Sequence, residues 1–212
     1  MRIVCWSDTA VGMEGSERVA DESEWIRQAR LGDPAAFDHL VQTYQTPVYN
    51  LAYRMLGNVA EAEDAAQETF IRAYTHLSRY DPQRPFRTWL LSIASHYCID
   101  RLRRQRVDWL PLEDEIVPAG RAEPESRVTA PAPPDPHLVA VQREREVVIQ
   151  RLLATLPPED RSAVVLCYWY DYSYEEIADT LGLSVSAVKS RLYRARRALA
   201  EKMTQEQGSY AM

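Results

Sequence analysis

The most specific structural pattern in this 212-residue chain is the segment Ser173–Arg197, which reads SYEEIADTLGLSVSAVKSRLYRARR. Ser173 followed three residues later by Glu176 is the pattern of a capping box, which starts a helix. Gly182 is expected to end that helix, because glycine adopts the left-handed conformation readily, and Ser184 is a suitable cap for the next one. Two helices joined by a tight glycine turn predict a helix-turn-helix, which places its second helix in the major groove of DNA.

The helix after Ser184 has an apolar face and a polar face when its residues are placed at 100° intervals. The apolar arc, which we expect to be buried, contains Val185, Val188, Leu192, Ala195 and Leu199. The outward arc contains Ser186, Lys189, Ser190, Tyr193, Arg194 and Arg197. Long cations on an exposed helix face suit base edges and phosphates. A solvated basic face on a bundle helix is the alternative, but the turn and the cap favour DNA binding.

The charge of the chain is unevenly distributed. The net charge is −6, which by itself argues against nucleic acid as a partner. Yet residues 81–106 hold six basic and two acidic side chains, and residues 185–203 hold six and one. Local basic patches form the electrostatic footprint on phosphate, whereas the acidic remainder repels free duplex. This pattern indicates a DNA-binding protein that reaches DNA with the help of a partner.

Residues 25–106 have apolar side chains at three- and four-residue spacing and little glycine, which predicts helices. Asp33-Pro34 is a helix start, because aspartate caps the helix and proline fits its first turn. Gly57-Asn58 combines a helix end with the cap of the next helix, and Pro47 is expected to interrupt a helix. The expected helices of this four-helix domain cover 34–44, 47–56, 59–77 and 86–104.

Residues 107–137 lack helical periodicity and are rich in proline, alanine and acidic residues. Such a segment has too little apolar surface to pack, so we expect an extended, mobile linker. A plain tether is favoured over a segment with a binding role of its own. Helical periodicity returns at 138 and continues to 203, with helices expected over 138–156 and 159–170 before the helix-turn-helix.

These patterns predict an all-α protein with two small helical domains joined by a flexible linker. The expected organisation is an N-terminal extension (1–23), a four-helix domain (24–106), the linker (107–137), a helix-turn-helix domain (138–203) and a C-terminal tail (204–212). Met13 is an alternative to Met1 as the true start of the protein.

Composition argues against several classes of protein. The sequence has no run of 18 or more apolar residues, so no membrane-spanning helix is predicted. The N-terminus lacks the features of a signal peptide. We therefore expect a cytoplasmic protein. The cysteines Cys5, Cys98 and Cys167 are far apart, so neither a disulfide framework nor a zinc site is expected. The sequence contains no recognisable phosphate loop, nucleophile–base pair or metal-ligand cluster. We therefore expect no enzyme activity, no cofactor and no metal.

Three segments of the C-terminal half resemble the fourth conserved region of extracytoplasmic-function (ECF) sigma factors, in the sigma-70 family of bacterial RNA polymerase subunits. These segments are Leu156-Pro157-Pro158, Tyr174–Ala178 and Val188–Arg196. In that family this domain reads the upstream (−35) promoter element. The resemblance implies that the DNA-contacting residues are Ser186, Lys189, Ser190, Tyr193, Arg194, Arg196 and Arg197, the last two on phosphates. Lys189 stands where arginine is common, and lysine lacks the bidentate fork.

Residues Ala62–Phe70 resemble the second conserved region of sigma factors. The helix expected there has an apolar face formed by Ala62, Ala65, Ala66, Thr69, Phe70, Ala73 and Leu77. From the residues alone, the opposite face is compatible with an ordinary solvated surface. The resemblance instead implies that it docks on the coiled coil of the largest polymerase subunit. The residues that would carry this contact are Asp64, Gln67, Glu68 and Ile71.

Aromatic residues in Phe86–Leu90 are followed by a basic strip, Asp100–Arg106. Such a combination suits single-stranded DNA, whose bases stack on rings. The resemblance implies that this segment and the preceding loop melt the −10 element and hold a flipped base. The candidate contacts are Tyr80, Trp89, His96, Arg101, Arg103 and Arg104. Trp89 is equally compatible with a core position, and His96 stands where the family usually has asparagine.

The resemblance thus implies a sigma factor that binds core RNA polymerase through the coiled coil of the largest subunit and the flap. It implies promoter DNA and an anti-sigma factor as further partners, and a linker that threads through the polymerase. A stand-alone helix-turn-helix regulator, which would bind duplex DNA without polymerase, is the alternative. An enzyme with an appended DNA module is disfavoured because residues 24–106 offer no paired catalytic groups.

Overall fold

The computed structural model describes the backbone of residues 15–108 and 136–209, and the side chains of residues 21–105 and 144–205. These residues form α-helices and one short 3-10 helix, Leu77–Arg79, without a strand among them, so the all-α class is confirmed. The α-helices are α1 (Gly15–Arg30), α2 (Pro34–Leu56), α3 (Val59–His76), α4 (Phe86–Asp108), α5 (Pro136–Ala154), α6 (Pro158–Trp169), α7 (Tyr174–Leu181) and α8 (Val185–Ser209). Most of the expected linker lies outside the described residues. None of the described helices combines the length and the apolar character that crossing a membrane requires.

In the N-terminal group of helices, α1–α4, the ends of α2 and α3 follow the local signals in the sequence. The Asp33 carboxylate accepts a hydrogen bond from the amide of Ala35 at 2.9 Å and starts α2. Gly57 ends α2 in the left-handed conformation, with φ of 76°. The Asn58 side chain accepts from the amide of Glu61 at 3.1 Å and starts α3. These caps satisfy backbone groups that a helix end would otherwise leave unpaired.

Pro47 does not interrupt α2, and the prediction of two helices over 34–56 is wrong. Proline removes one amide donor from a helix interior, but Tyr44, Val48 and Leu51 stay on one buried face across it. The burial of this face outweighs the missing hydrogen bond, because each buried apolar side chain contributes about 1.5–3 kcal/mol.

Helix α1 restores the number of helices expected for the N-terminal group, which therefore still contains four α-helices. Ile26 and Ala29 are buried against the core, and the Trp25 ring stacks on His39 of α2 with centroids 4.9 Å apart. The Tyr44 hydroxyl donates to the Glu22 carboxylate at 2.9 Å. Helix α1 thus belongs to the N-terminal domain, and the expected extension (1–23) includes the first part of this helix.

The two helical groups, α1–α4 and α5–α8, pack against each other and share one hydrophobic core. Helices α6 and α7 lie on α4, while α5 and α6 also contact α2. Two hydrogen bonds reach main-chain carbonyls of α2: the Arg161 guanidinium donates to Met55, and the Tyr170 hydroxyl donates to Pro47. The two expected domains are therefore in direct contact, which the sequence patterns did not show.

Candidate nucleic-acid and polymerase interfaces

The helix-turn-helix is built from α7 and α8, and its turn is fixed by caps. Ser173 Oγ accepts from the amide of Glu176 at 3.2 Å, and Glu176 Oε2 accepts from the amide of Ser173 at 2.8 Å. Gly182 ends α7 with φ of 64°, a conformation that favours glycine. Ser184 Oγ accepts from the amide of Ala187 at 3.2 Å at the start of α8. The expected capping box and glycine turn are both present, so α8 has a defined direction relative to α7.

Helix α8 buries the predicted apolar arc and exposes the opposite one. Val188, Leu192 and Ala195 are buried, while Val185 and Leu199 are partly buried against the core. We call the exposed side chains Ser186, Lys189, Ser190, Tyr193 and Arg194 the recognition face. Tyr193, at the centre of the recognition face, is 68% exposed. Among the described residues, no ion pair holds Lys189, so its ammonium is available to a ligand.

Arg194 is exposed but not free. Its guanidinium shares the buried carboxylate of Asp160, at the start of α6, with that of Arg191. The Asp160 Oδ1 atom lies 2.8 Å from Arg191 Nη1 and 3.3 Å from Arg194 Nη2. Sequence patterns did not single out Asp160 or Arg191, because the three residues come together only when α6 packs on α8.

The two arginines assigned to phosphate contacts have different surroundings. Arg196 Nε donates to the Tyr168 hydroxyl at 2.8 Å, and its Nη2 lies 3.5 Å from the Tyr174 hydroxyl. The hydrogen bonds to Tyr174 and Tyr168 raise the pKa of the Arg196 guanidinium. Arg197 is paired with Glu201 one turn later at 2.9 Å, and both side chains are exposed. Arg197 can therefore turn to a phosphate at little cost, whereas Arg196 also supports the packing of α8 on α6 and α7.

Helix α3 separates its faces as the pattern predicts. Ala62, Ala65, Thr69 and Ala73 are buried, and Ala66 and Phe70 are partly buried. On the other side, Asp64 and Gln67 are exposed, and Ile71 is 61% exposed. Glu68 is half-buried in an ion pair with Arg72 at 2.7 Å. We call Asp64, Gln67, Glu68 and Ile71 the α3 face, which presents acidic groups around one large apolar side chain.

The predicted stacking platform, Tyr80, is a buried residue that is only 4% exposed. The ring packs against Phe86 and Trp89, with centroids 5.4 and 5.1 Å away. Its hydroxyl donates to the carbonyl of Arg84 and closes the loop that precedes α4. Trp89 is half-buried in the same cluster. In this arrangement both rings contact protein, so their roles towards a base stay predictions that require the loop to rearrange.

The other predicted −10 contacts lie along α4, mostly in polar interactions. His96 is exposed, with Nδ1 2.7 Å from the Ser92 carbonyl oxygen. Arg101 reaches Glu61 of α3 at 3.3 Å, whereas Arg103 Nε donates to Glu159 of α6 at 2.8 Å. Arg104 is exposed. The basic strip therefore exists on α4, but one of its arginines, Arg103, is paired with a carboxylate of the C-terminal group although it stays exposed.

Two further cations, one in the loop before α4 and one in its first turn, also face the C-terminal group. Arg84 pairs with Asp179 of α7 at 2.7 Å, and the Arg87 guanidinium lies 5.5 Å from the Tyr170 ring centroid and 5.8 Å from that of Tyr172. Arg84 lies between the expected helices 59–77 and 86–104, and no sequence motif assigns it a function. Only its position next to Asp179 distinguishes it from other surface arginines.

Comparison with known proteins agrees with the two helical groups. Residues 31–107 match the family model of sigma-70 region 2, and residues 146–199 match that of sigma-70 region 4. The chain is 39% identical over 180 residues to the ECF RNA polymerase sigma factor SigW of Bacillus subtilis. The aligned region covers 84% of this chain and 94% of SigW. The chain is 37% identical over 205 residues to the ECF RNA polymerase sigma factor SigE of Mycolicibacterium smegmatis, with 89% and 74% covered.

A solved structure, that of CnrH in complex with the cytosolic domain of CnrY, has a TM-score of 0.62 and 25% sequence identity. The match covers 87% of this chain and 98% of CnrH. The family expected from the sequence motifs is thereby confirmed: this chain belongs to the ECF sigma factors, the RNA polymerase subunits that direct the enzyme to promoters.

Proposed function

We propose that this sigma factor divides promoter recognition between its two helical groups. In this proposal the recognition face of α8 reads the −35 element in the major groove, while α4 and its preceding loop contact the −10 element. The α3 face binds the coiled coil of the largest polymerase subunit, and the C-terminal group contacts the flap. The domain limits that go with this division are 24–106, preceded by the first part of α1, and 138–203, joined by 107–137.

The observation that carries the proposal is the recognition face on a capped helix-turn-helix. The apolar arc of α8 is buried, so the side chains of the opposite arc cannot turn inward. Lys189, Ser190, Tyr193 and Arg194 therefore project from one side of a rigid helix. Such a helix fits the width of a major groove, where base edges present distinct donor and acceptor patterns.

The −10 contact requires the two helical groups to separate. Arg103, one of the predicted −10 contacts, is paired with Glu159, and Arg84 in the loop before α4 is paired with Asp179. Separation of the groups would release both cations for phosphates. Core polymerase would supply the free energy for opening by binding the α3 face and the C-terminal group at the same time. This accounts for an acidic protein that needs a partner to bind DNA.

We further propose that an anti-sigma factor controls this sigma factor. We also propose that the sigma factor acts in the cytoplasm and has no catalytic activity of its own. The support for the anti-sigma partner is that a sigma factor of similar fold, RpoE of Bartonella quintana, was solved in complex with the anti-sigma factor NepR. The proposed location follows from the expected partner, core RNA polymerase. Transcription itself is catalysed by that partner.

Start-site mapping with purified core polymerase tests the proposal. Addition of this protein should start transcripts at a small set of positions, each preceded by common −35 and −10 sequences. The matched sample contains core polymerase alone. Specific starts that did not depend on the protein would contradict the function, and so would tight, sequence-specific binding to duplex DNA without polymerase.

A further inference from the structure

The carboxylate of Asp160 lies between two arginines of α8. The Asp160 side chain is 5% exposed, and it occupies the first turn of α6, where the helix dipole favours a negative charge. Its Oδ1 accepts from Arg191 Nη1 at 2.8 Å and lies 3.3 Å from Arg194 Nη2. Its Oδ2 lies 3.5 Å from Arg194 Nε. Both oxygen atoms of this buried carboxylate thus face cations of the helix that bears the recognition face.

The two arginines differ in how much they need Asp160. Arg191 is 25% exposed and makes the shorter hydrogen bond, so it supplies most of the charge compensation that a buried carboxylate requires. Arg194 is 59% exposed, and only one edge of its guanidinium touches Asp160. The pair with Arg194 therefore adds little to the packing of α6 on α8. Its main effect is on the orientation of Arg194.

The contact with Asp160 leaves one end of the Arg194 guanidinium free to bind a base. Because Nε and Nη2 of Arg194 face Asp160, the Nη1–Nη2 end points away from the carboxylate. That end can donate two parallel hydrogen bonds to neighbouring acceptors, such as O6 and N7 of guanine in the major groove. An arginine without such support would have to lose its rotamer freedom when it binds, which weakens discrimination between bases.

From this geometry we infer that Asp160 is a positioning residue for promoter reading. It holds Arg194 in one orientation on the recognition face, and it thereby strengthens the preference of the sigma factor for one base pair of the −35 element. This inference rests on the proposed role of Arg194 in base reading. Asp160 itself does not touch DNA and acts only through Arg194.

A double-mutant cycle in the full-length protein, bound to core polymerase, tests the inference. The four proteins are the wild type, Asp160→Asn, Arg194→Ala and the double variant, each measured on a library of −35 variants. Arg194→Ala should reduce preference at one position about tenfold, as loss of a bidentate base contact does. Asp160→Asn keeps the side chain's size but removes its charge, and it should reduce preference severalfold at that same position. In the double variant, Asp160→Asn should change nothing further at that position.

Two controls separate positioning from a general loss of structure. Glu201→Gln removes the corresponding partner of Arg197 on the same helix, and it should leave the ranking of promoter variants unchanged. Asp160→Glu retains the charge but moves the carboxylate outward by one methylene. It should retain the melting temperature better than Asp160→Asn while still reducing preference, so it provides the test if Asp160→Asn does not fold.

The outcomes are distinguishable. If Arg194→Ala changes the ranking but neither Asp160 variant does, the positioning role is wrong and the proposed base reading stands. If an Asp160 variant lowers binding to all promoters equally, with or without Arg194, Asp160 is only structural. If Arg194→Ala leaves the ranking unchanged, the base-reading role of Arg194 fails, and the inference fails with it.

Discussion

Arg161 is a buried cation at the contact between the two helical groups. Its guanidinium donates to the carbonyl of Met55 in the last turn of α2, where the helix has unpaired carbonyl groups. A positive charge is also favoured at the C-terminal end of a helix dipole. Arg161 therefore connects α6 to α2 through chemistry that an apolar residue of similar size cannot provide.

We expect Arg161→Ala to lower the free energy of unfolding by about 2 kcal/mol, because hydrogen bonds of buried charged groups contribute about 1.5–3 kcal/mol. Chemical denaturation followed by circular dichroism measures this change. The control is Arg151→Ala, at an exposed position of α5, which should change stability by less than about 0.5 kcal/mol. Equal effects of the two variants would contradict the structural role of Arg161.

Tyr193 and Arg197 occupy different positions on α8, and we expect different consequences when each is replaced by alanine. Tyr193→Ala should change the ranking of −35 variants, because the side chain lies at the centre of the recognition face. Arg197→Ala should weaken binding to all promoters by similar factors and reduce the salt slope by about one, as loss of one phosphate contact does. Holoenzyme binding to a promoter library at two salt concentrations measures both effects.

The contrast between these two variants is the informative result. An Arg197→Ala variant that altered base preference would show that the recognition face extends farther along α8 than proposed. A Tyr193→Ala variant with an unchanged ranking would show that the phenol ring does not contact bases.

At the scale of elements, α3 shows how one helix can serve two purposes. Its buried face consists mainly of alanine and threonine side chains, which allow close approach to the neighbouring helices α2 and α4. Its exposed face carries Ile71 within acidic surroundings. A single exposed apolar side chain is common on protein surfaces, so the docking role proposed for this face rests on the match of this segment to sigma-70 region 2.

We expect Asp64→Arg combined with Glu68→Arg to abolish binding to core polymerase while α3 stays folded. Both changes reverse the charge of the α3 face, and neither touches the buried face. Replacing Glu68 also breaks its ion pair with Arg72, but such a pair on a helix surface contributes only about 0.5 kcal/mol to stability. Co-purification of the folded variant with core polymerase is the measurement.

The matched control for this variant reverses two exposed acids on other helices of the N-terminal group, Asp21→Arg on α1 with Asp38→Arg on α2. It makes the same change in net charge and should bind core polymerase normally. Retained binding by the Asp64 and Glu68 variant would show that another surface docks on the polymerase.

At the scale of the whole molecule, the contact between the helical groups combines apolar packing with complementary charge. Tyr170 and Tyr172 are buried at the contact, and the Arg54 guanidinium lies 4.8 Å from the Trp169 ring centroid. Around this centre, ion pairs connect Arg54 with Glu146, Arg84 with Asp179 and Arg103 with Glu159. The acidic partners all belong to the C-terminal group, so the arrangement neutralises cations of the N-terminal group.

We expect Glu159→Arg combined with Asp179→Arg to open the molecule. Each exposed ion pair alone is worth at most about 1 kcal/mol, but reversal replaces two attractions with two repulsions across the contact. Small-angle X-ray scattering should show a larger radius of gyration at low salt than for the wild type, and the difference should shrink as salt screens the repulsion. Glu144→Arg with Glu175→Arg, two exposed acids of the same group, is the control. Unchanged dimensions of the first variant would show that these two ion pairs are not needed to hold the groups together.

The sequence by itself determined the features that depend on neighbouring residues. The caps at Asp33, Asn58 and Ser173 and the left-handed glycines at 57 and 182 are local, since a cap and its partner lie within three residues. The faces of α3 and α8 follow from helical periodicity, which is also local. These signals were sufficient for the all-α fold and for the side chains that α3 and α8 expose, and motif similarity added the family.

Only the tertiary structure decided which residues meet across long separations in the chain. Continuity of α2 through Pro47, burial of the Tyr80 ring and the pairing of Asp160 with Arg194 all depend on how helices pack, and each involves surroundings that no local pattern encodes. The arginines of α4 and α8 look alike in the sequence, but their partners differ: Glu61 for Arg101, Glu159 for Arg103 and Asp160 for Arg194. The physical reason is that capping and periodicity act within one or two helical turns, whereas burial and ion pairing depend on residues that folding brings together from distant parts of the chain.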